Sequence, residues 1–285
     1  MKKKIYFRPQ IRSRHPSHSI LRTQLPLMPF KSVIRFGSIT EISDTVEKGG
    51  NRIEINSVQG IKNSASKLLM KQCFTAAEVR TANWWINNSI NGQNFVNKAL
   101  PNTGNVNIKD LTFPIISKSL YGSRGIGNTK HNTKEELEAW MIGKNLSNYI
   151  FEEFVSYARE YRLHITENGC FYTCRKLLKT DAPADTWQKH DDHCSWALED
   201  NPSFKKPKNW EAIIADCIKA QKALGLDICA FDVGIQGAKD GVERENPKWV
   251  IYESCSAPSF GEITSKKYLE ILPTLLTKKH NQLCK

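Results

Sequence analysis

The chain has 285 residues, 40% apolar and 25% charged, the balance of a globular protein long enough for two or three small lobes around a real core. No apolar run approaches the ~20 residues that a bilayer span requires, which excludes a spanning helix. The net charge is +12, which keeps polyanionic partners in view.

That charge is unevenly placed. Residues 1–40 hold nine Lys and Arg and no acid (Lys2, Lys3, Lys4, Arg8, Arg12, Arg14, Arg22, Lys31, Arg35). A basic segment of this kind contacts nucleic acid, faces an anionic substrate or is simply solvated. A presequence is also Arg-rich and acid-poor, but Ile5-Tyr6-Phe7 reads as an opening strand. Eight scattered cysteines and no recognisable signal peptide favour reduced thiols and a cytoplasmic protein.

Lys4 to Arg8 and Ser32 to Phe36 read as short strands, with the Pro-rich Arg22–Phe30 between them as a loop. A helix is expected from Asn56 or Ser57, either of which can cap it. Val58, Ile61, Ala65, Leu68, Leu69 and Gln72 repeat at helical spacing along a single run. Lys67 lies on that helix beside the apolar stripe, where it is a core-edge lysine or one that reaches a cleft. Residues 79–86 fit a strand, while Thr75-Ala-Ala-Glu78 also fits a helix-opening capping box. The Asn- and Gly-rich 87–107 reads as a loop.

Thr112 to Ser117 is a β-branched apolar strand, and Lys118 ends it with a positive charge. Gly122-Ser123-Arg124-Gly125-Ile126-Gly127 follows, three glycines in six residues. Such a loop lets backbone N–H groups gather around phosphate oxygens, and the strand-borne Lys118 beside it suits a triphosphate. Similar turns also occur in proteins that bind nothing. It is neither a Walker A loop nor a dinucleotide fingerprint, because Lys118 precedes the glycines.

Thr133-Lys-Glu-Glu136 opens a helix with Leu137, Trp140 and Met141 inward. Tyr149 to Val155 is an apolar strand interrupted by Glu152 and Glu153, which need a solvated face or a ligand amine. Arg159–Ile165 and Cys170–Leu178 form a hairpin around Asn168-Gly169. It carries Glu160, Arg162, Arg175 and Lys176. Residues 181–209 read as a long polar loop, and the spacing within His190-Asp-Asp-His193-Cys194 matches no standard zinc cluster. Asn209 caps a helix over Trp210–Leu224 that Gly225 stops. Two strands follow, one with Asp232 at its middle and one with Glu253 near its end. If paired, they bring two hard carboxylates together, a donor set suited to Mg²⁺ and phosphates. Residues 265–279 close the chain as a helix interrupted or kinked by Pro273.

The ordered set resembles the ATP-grasp superfamily, and more narrowly its RimK-like carboxylate–amine ligases and phage-encoded relatives. The residues that carry the likeness are Ile55-Asn-Ser57, Lys67-Leu-Leu69, Phe113-Pro-Ile-Ile-Ser-Lys118, Gly122-Ser-Arg-Gly125, Glu153-Phe-Val155, Glu160-Tyr-Arg162, Phe231-Asp-Val233 and Tyr252-Glu-Ser-Cys-Ser-Ala-Pro258. They span about residues 31–260. The resemblance implies an α+β fold of two lobes clasping a nucleotide, behind a short basic N-terminal α/β segment. The expected division is 1–60, a central lobe 61–150 with the Gly-rich lid, and a C-terminal lobe 151–285 with the metal-binding strands.

It further implies ATP and Mg²⁺ as cofactors and an ATP-dependent ligase that activates a carboxylate as an acyl phosphate and passes it to an amine. The amine would be an amino acid, a peptide or a protein. Lys67 and Lys118 would hold the α- and β-phosphates under Gly122, Ser123, Arg124 and Gly125. Glu152 or Glu153, with the main chain of Phe154 and Val155, would bind adenine, and Glu160 the ribose. Asp232 and Glu253 would hold Mg²⁺, and Arg162 and Arg175 the γ-phosphate or the substrate carboxylate. Two departures stand out: Cys255 occupies the position of a metal-ligating Asn, and Lys189-His190-Asp191 that of an Arg/Asn pair. Alternative readings are a basic nucleic-acid-binding protein led by residues 1–35 and a nucleotide-binding pseudoenzyme.

Overall fold

The computed structural model describes residues 2–9, 16–87, 94–97, 105–120, 122, 125–189, 193–259 and 261–283. These residues build three sheets with helices between and beside them.

The first sheet is parallel: β1 (Tyr6–Pro9), β2 (Ser32–Phe36) and β3 (Ile53–Ile55) lie in that order. Helix α1 (Pro16–Gln24) connects the first two strands and takes the start of the expected Arg22–Phe30 loop. All five β2 residues are buried, as a parallel strand covered on both faces requires. The buried Asn56 sits at φ 62° after β3. Its amide donates to the Arg35 and Ile228 carbonyls and accepts from the Asp227 and Ile228 N–H groups. One side chain thus pins this sheet to the C-terminal strands.

The helix expected as a single run is two. Ser57 caps α2 (Val58–Ala65), accepting from the Gly60 N–H at 2.9 Å. Ser66 then leaves helical geometry, ends α2 and caps α3 (Lys67–Ala76) through the Leu69 N–H. This break makes Lys67 the first residue of a helix. Thr75 opens nothing, in contrast to the capping-box alternative. It lies in the last turn of α3 and accepts the Trp84 indole N–H at 3.0 Å.

The second sheet runs β6-β5-β4-β9-β7-β8. Its strands are β4 (Trp84–Asn87), β5 (Asn94–Asn97), β6 (Asn105–Asn107), β7 (Ile115–Ser119), β8 (Thr129–His131) and β9 (Tyr149–Glu153). The segment 87–107, read as loop, therefore carries two strands. Helix α4 (Lys134–Met141) is capped by Thr133 and packs Leu137 against Ile115 and Phe151. The boundary expected after residue 150 falls inside β9.

The third sheet is antiparallel, in the order β12-β11-β10-β13-β14. It comprises β10 (Arg159–Thr166), β11 (Gly169–Leu178), β12 (Cys194–Ala197), β13 (Ile228–Ile235) and β14 (Trp249–Cys255). Strand β12 arises inside the expected 181–209 loop. Helix α5 (Trp210–Leu224) has the expected bounds, but Asn209 makes no side-chain cap bond and donates instead to the Pro247 carbonyl at 3.0 Å. Helix α6 (Glu262–Leu283) continues through Pro273. Among the described residues no helix is long and apolar enough to cross a membrane.

One face of the third sheet presents Tyr161, Leu163, Phe231, Val233 and Ile251 to a core completed by α2, α3 and α5. Helices α2 and α3 thus pack with the C-terminal strands. The opposite face of this sheet carries the charged residues.

Candidate nucleotide and metal site

Strand alternation sorts the charges. Successive side chains point to opposite faces, so burying Tyr161 and Leu163 sends Glu160 and Arg162 to the other side. On β13 the same rule puts Asp232 opposite the core-facing Phe231 and Val233. Arg162 and Asp232 are register partners, and the guanidinium grips both carboxylate oxygens, at 2.8 Å from Nε and 2.9 Å from Nη2. Lys176, the register partner of Glu160, bridges Glu160 at 2.5 Å and Asp232 at 3.1 Å. Trp196, the partner of Lys176 on β12, offers its ring to both cations, 4.9 Å from Arg162 and 5.5 Å from Lys176.

Glu253 reaches this face by a different device. Ile251 is in the core, so strict alternation would bury Glu253 as well. A bulge intervenes: Asp232 pairs with Glu253 and Val233 with Ile251, leaving Tyr252 as the extra residue. The bulge re-aims the strand and sets Glu253 directly across from Asp232. Among the described residues no hydrogen bond or ion pair holds the Glu253 carboxylate, although its charge acts on Lys67 and Lys118.

The second sheet supplies the facing cations. The β7–β9 register places Lys118 and Glu152 on one face. Lys118 donates to Glu152 Oε2 at 3.0 Å, and the fully buried Lys71 of α3 approaches the same oxygen at 3.1 Å. Lys67 donates to the Gly122 carbonyl at 2.5 Å, which ties the helix start to the Gly-rich loop. Burial lowers the Lys67 pKa, assisted by Lys118 and opposed by Glu253 and Glu152. Burial also works against charge on Lys118, but Glu152, Glu253 and Glu160 outweigh it and raise its pKa. Burial opposes ionisation of Glu152, yet Lys118 and Lys71 hold its pKa below the usual carboxylate value. Burial opposes the charge of Asp232 too, and Arg162 with Lys176 lowers its pKa nonetheless. Glu253 thus acts on both Lys67 and Lys118, while Asp232, its register partner, interacts with Arg162, Lys176 and Glu160.

The segment that follows β9 is pinned on several sides. The Phe154 N–H donates to the Pro114 carbonyl at 3.0 Å, and the Tyr252 hydroxyl donates to the Val155 carbonyl at 2.9 Å. Trp187 meets the Phe154 ring edge to face, and Lys130 lies 4.3 Å from its centroid. Glu153 accepts from the Asn83 amide at 2.9 Å at the strand's end. Gln188 lies against the Gly-rich loop, its Oε1 2.2 Å from where a Cβ on Gly125 would stand. Lys189 approaches the Ala158 carbonyl at 3.3 Å, and Glu160 acts on its charge.

The geometry separates several of the expected residues. Arg175 does not join the cluster. It is the register partner of core-facing Tyr161 and donates to the Ser203 carbonyl at 2.6 Å, whereas Lys176, one residue on, takes the site face. Glu152 is an internal anchor for two lysines, whereas Glu153 accepts from Asn83. Ser123, Arg124, His190 and Asp191 lie outside the described residues. Sequence reasoning names Lys176 on the hairpin but gives it no role, and it does not single out Lys71 or Trp196. A period-2 reading of β10 and β11 from the hairpin outward would have set Lys176 on the site face.

No family model matches this chain, and no curated protein matches it in sequence. Solved structures do. The D-alanine–D-alanine ligase of Bacillus anthracis aligns over 99% of this chain and 98% of its own, with a TM-score of 0.64 and 12% identity. The same enzyme complexed with ATP gives 98%, 96%, 0.61 and 12%. The ATP-grasp ligase PsnB complexed with a minimal precursor aligns over 98% of this chain and 100% of its own, at 0.58 and 12%. The fold is the ATP-grasp fold. At such low identity the likeness speaks for the α+β architecture alone. The charged cluster draws its residues from the second and third sheets.

Asp232 and Glu253 fit a magnesium ion as a donor set: two opposed hard carboxylates on one face, one of them with no bonded cation. Cys255 does not add to it. Burial raises the thiol's pKa against the pull of Arg162, and a neutral soft sulfur does not suit a hard cation.

Proposed function

We propose that the chain is an ATP-dependent carboxylate–amine ligase that binds Mg²⁺–ATP between its second and third sheets. One observation carries the proposal. The two lysines expected at the phosphates and the two carboxylates expected at the metal come from four separate elements, with Glu253 acting on both lysines and standing across from Asp232. The order of the motifs favours the RimK-like branch.

Lys67 and Lys118 grip the α- and β-phosphates beneath the loop that begins at Gly122. Phe154 has spent its N–H on Pro114 and Val155 its carbonyl on Tyr252. The Phe154 carbonyl and the Val155 N–H are left for the adenine edge, with Glu153 beside them. Glu160 accepts from the ribose, and Lys176 holds that carboxylate in place. Asp232 and Glu253 would hold Mg²⁺, which would supply charge screening for phosphoryl transfer. Arg162 exchanges Asp232 for the γ-phosphate or the acid substrate.

The acid's carboxylate oxygen attacks the γ-phosphorus, the bond to the β-phosphate oxygen breaks, and ADP leaves. The amine then attacks the acyl carbon, phosphate departs and the amine loses a proton, leaving an amide. Arg162 and the lysines act by positioning and by offsetting charge on the transferring group. The described cysteines are free thiols, which supports a cytoplasmic setting.

The test is a screen for Mg²⁺-dependent ADP release over acids paired with amino acids, peptides and protein termini, with mass spectrometry of the products. An amide with one ADP per bond is expected. Saturable ATP binding with no turnover for any pair would favour a pseudoenzyme, a reading that Cys255 motivates.

A further inference from the structure

Lys71 has no place in the mechanism above, yet no other lysine among the described residues is so deeply enclosed. Its amine bonds to Glu152 Oε2 and to the Thr81 hydroxyl, which in turn donates to the Ile251 carbonyl at 3.0 Å. It is therefore fixed from both sides. Lys118 meets the same Oε2 from β7, and that is its one described bond. Glu152 Oε1 is buried without a hydrogen-bond partner. Two amines thus share one oxygen of one carboxylate. Burial lowers the Lys71 pKa and Glu152 opposes that shift; with both amines protonated the trio carries a net charge of +1.

We propose that Lys71 is a positioning residue that neutralises Glu152, so that the charge of Lys118 stays available to a triphosphate. The proposal rests on the reading of Lys118 as a phosphate grip. Without Lys71, Glu152 would have Lys118 as its remaining partner. The pair would close into a neutral ion pair, and a phosphate would have to compete with a buried carboxylate for the amine. With Lys71 immobilised by Thr81, the excess charge falls on the lysine that has no second anchor. Glu253 and Glu160 also act on Lys118 and are untouched by the changes below.

Charge counting gives a test that an ordinary structural role would not pass. Lys71→Met takes the trio from +1 to neutral. Adding Glu152→Gln, which keeps the shape of the side chain, returns it to +1. Binding of Mg²⁺–ATP and of adenosine is measured by calorimetry on the full chain, beside thermal melting of each variant. Lys71→Met should weaken Mg²⁺–ATP about tenfold, the effect of one unit charge near 10 Å at an effective dielectric constant of about 20. Adenosine binding should be unchanged. The double variant should recover Mg²⁺–ATP affinity to within about threefold of the parent.

Equal losses for ATP and adenosine, or a double variant as weak as the single, would overturn the proposal. If Lys71→Met does not fold, the parent and the double variant alone decide it, since parity is required. Lys118→Met serves as the reference. If it leaves ATP affinity intact, the phosphate grip itself is wrong and this inference falls with it. If it costs affinity while the double variant fails to recover, the neutralising role alone is lost.

Discussion

Asp232 and Glu253 stand directly opposite each other on β13 and β14, yet Asp232 is clamped by Arg162 and Lys176 while Glu253 is bonded to neither. The pair is thus asymmetric: one carboxylate is held by protein cations, and the other is open to a cation from outside. Asp232→Asn should remove Mg²⁺-dependent turnover and leave Arg162 and Lys176 facing each other without their anion. Breaking a fully buried pair from one side costs about 3–5 kcal/mol; this pair is part-buried, so a smaller loss is expected, which denaturant titration would register. The Asp232 pKa is lowered in the fold, so this contribution is present above the unfolded value near 3.8 and lost as pH falls below it.

Strand parity separates two neighbouring cations. Lys176→Met should weaken Mg²⁺–ATP binding and free Glu160 and Asp232 to repel each other. Arg175→Met, on the opposite face, should leave the affinity for Mg²⁺–ATP within about twofold, since side chains of adjacent residues do not share a face. Equal loss in both would contradict the face assignment.

Gly125 has φ 72° and no room for a side chain beside Gln188. Gly125→Ala adds about 1–2 kcal/mol of left-handed backbone cost and drives a methyl into the Gln188 amide. The expected result is weaker nucleotide binding, partly recovered by adding Gln188→Ala. Recovery should stop short of the parent, because only the contact is relieved and the backbone cost remains.

His164 is buried against the Tyr268 hydroxyl at 2.9 Å, and burial, with the nearby Arg162 charge, pushes its pKa down to about 3. The unfolded chain takes up this proton near pH 6.5, well before the folded one does. Stability from this group is therefore complete above about pH 6.5 and falls by up to ~1.4 kcal/mol per unit as pH drops toward 3. Denaturant titrations at pH 7 and pH 5 should show that loss in the parent and a smaller one in His164→Gln.

Much of this architecture is legible without coordinates. Helix α5 announces itself by its apolar period and by Gly225, and the hairpin of β10 and β11 by Asn168-Gly169. Strands β5 and β6 are not legible, because Asn-rich segments acquire strand character from the partner they pair with and not from propensity. The break at Ser66 is invisible to a periodicity that continues across it. Glu152 and Glu153 look alike in sequence; the register of β7 and β9 decides that one anchors lysines and the other accepts from Asn83. The pairing of Glu253 with Asp232 follows from two adjoining strands, but the orientation of Glu253 depends on the bulge at Tyr252, which alternation alone argues against.

Gly234 faces the charged side of β13, and the Tyr252 hydroxyl lies 2.1 Å from where a Cβ there would be. The missing side chain is what admits the tyrosine ring, and the ring in turn fixes the Val155 carbonyl. The contour of the proposed adenine slot is therefore decided partly by a vacancy on a strand with no proposed contact to the base. Filling that vacancy with a single methyl group would disturb purine selection from a distance, without touching any atom that meets the nucleotide.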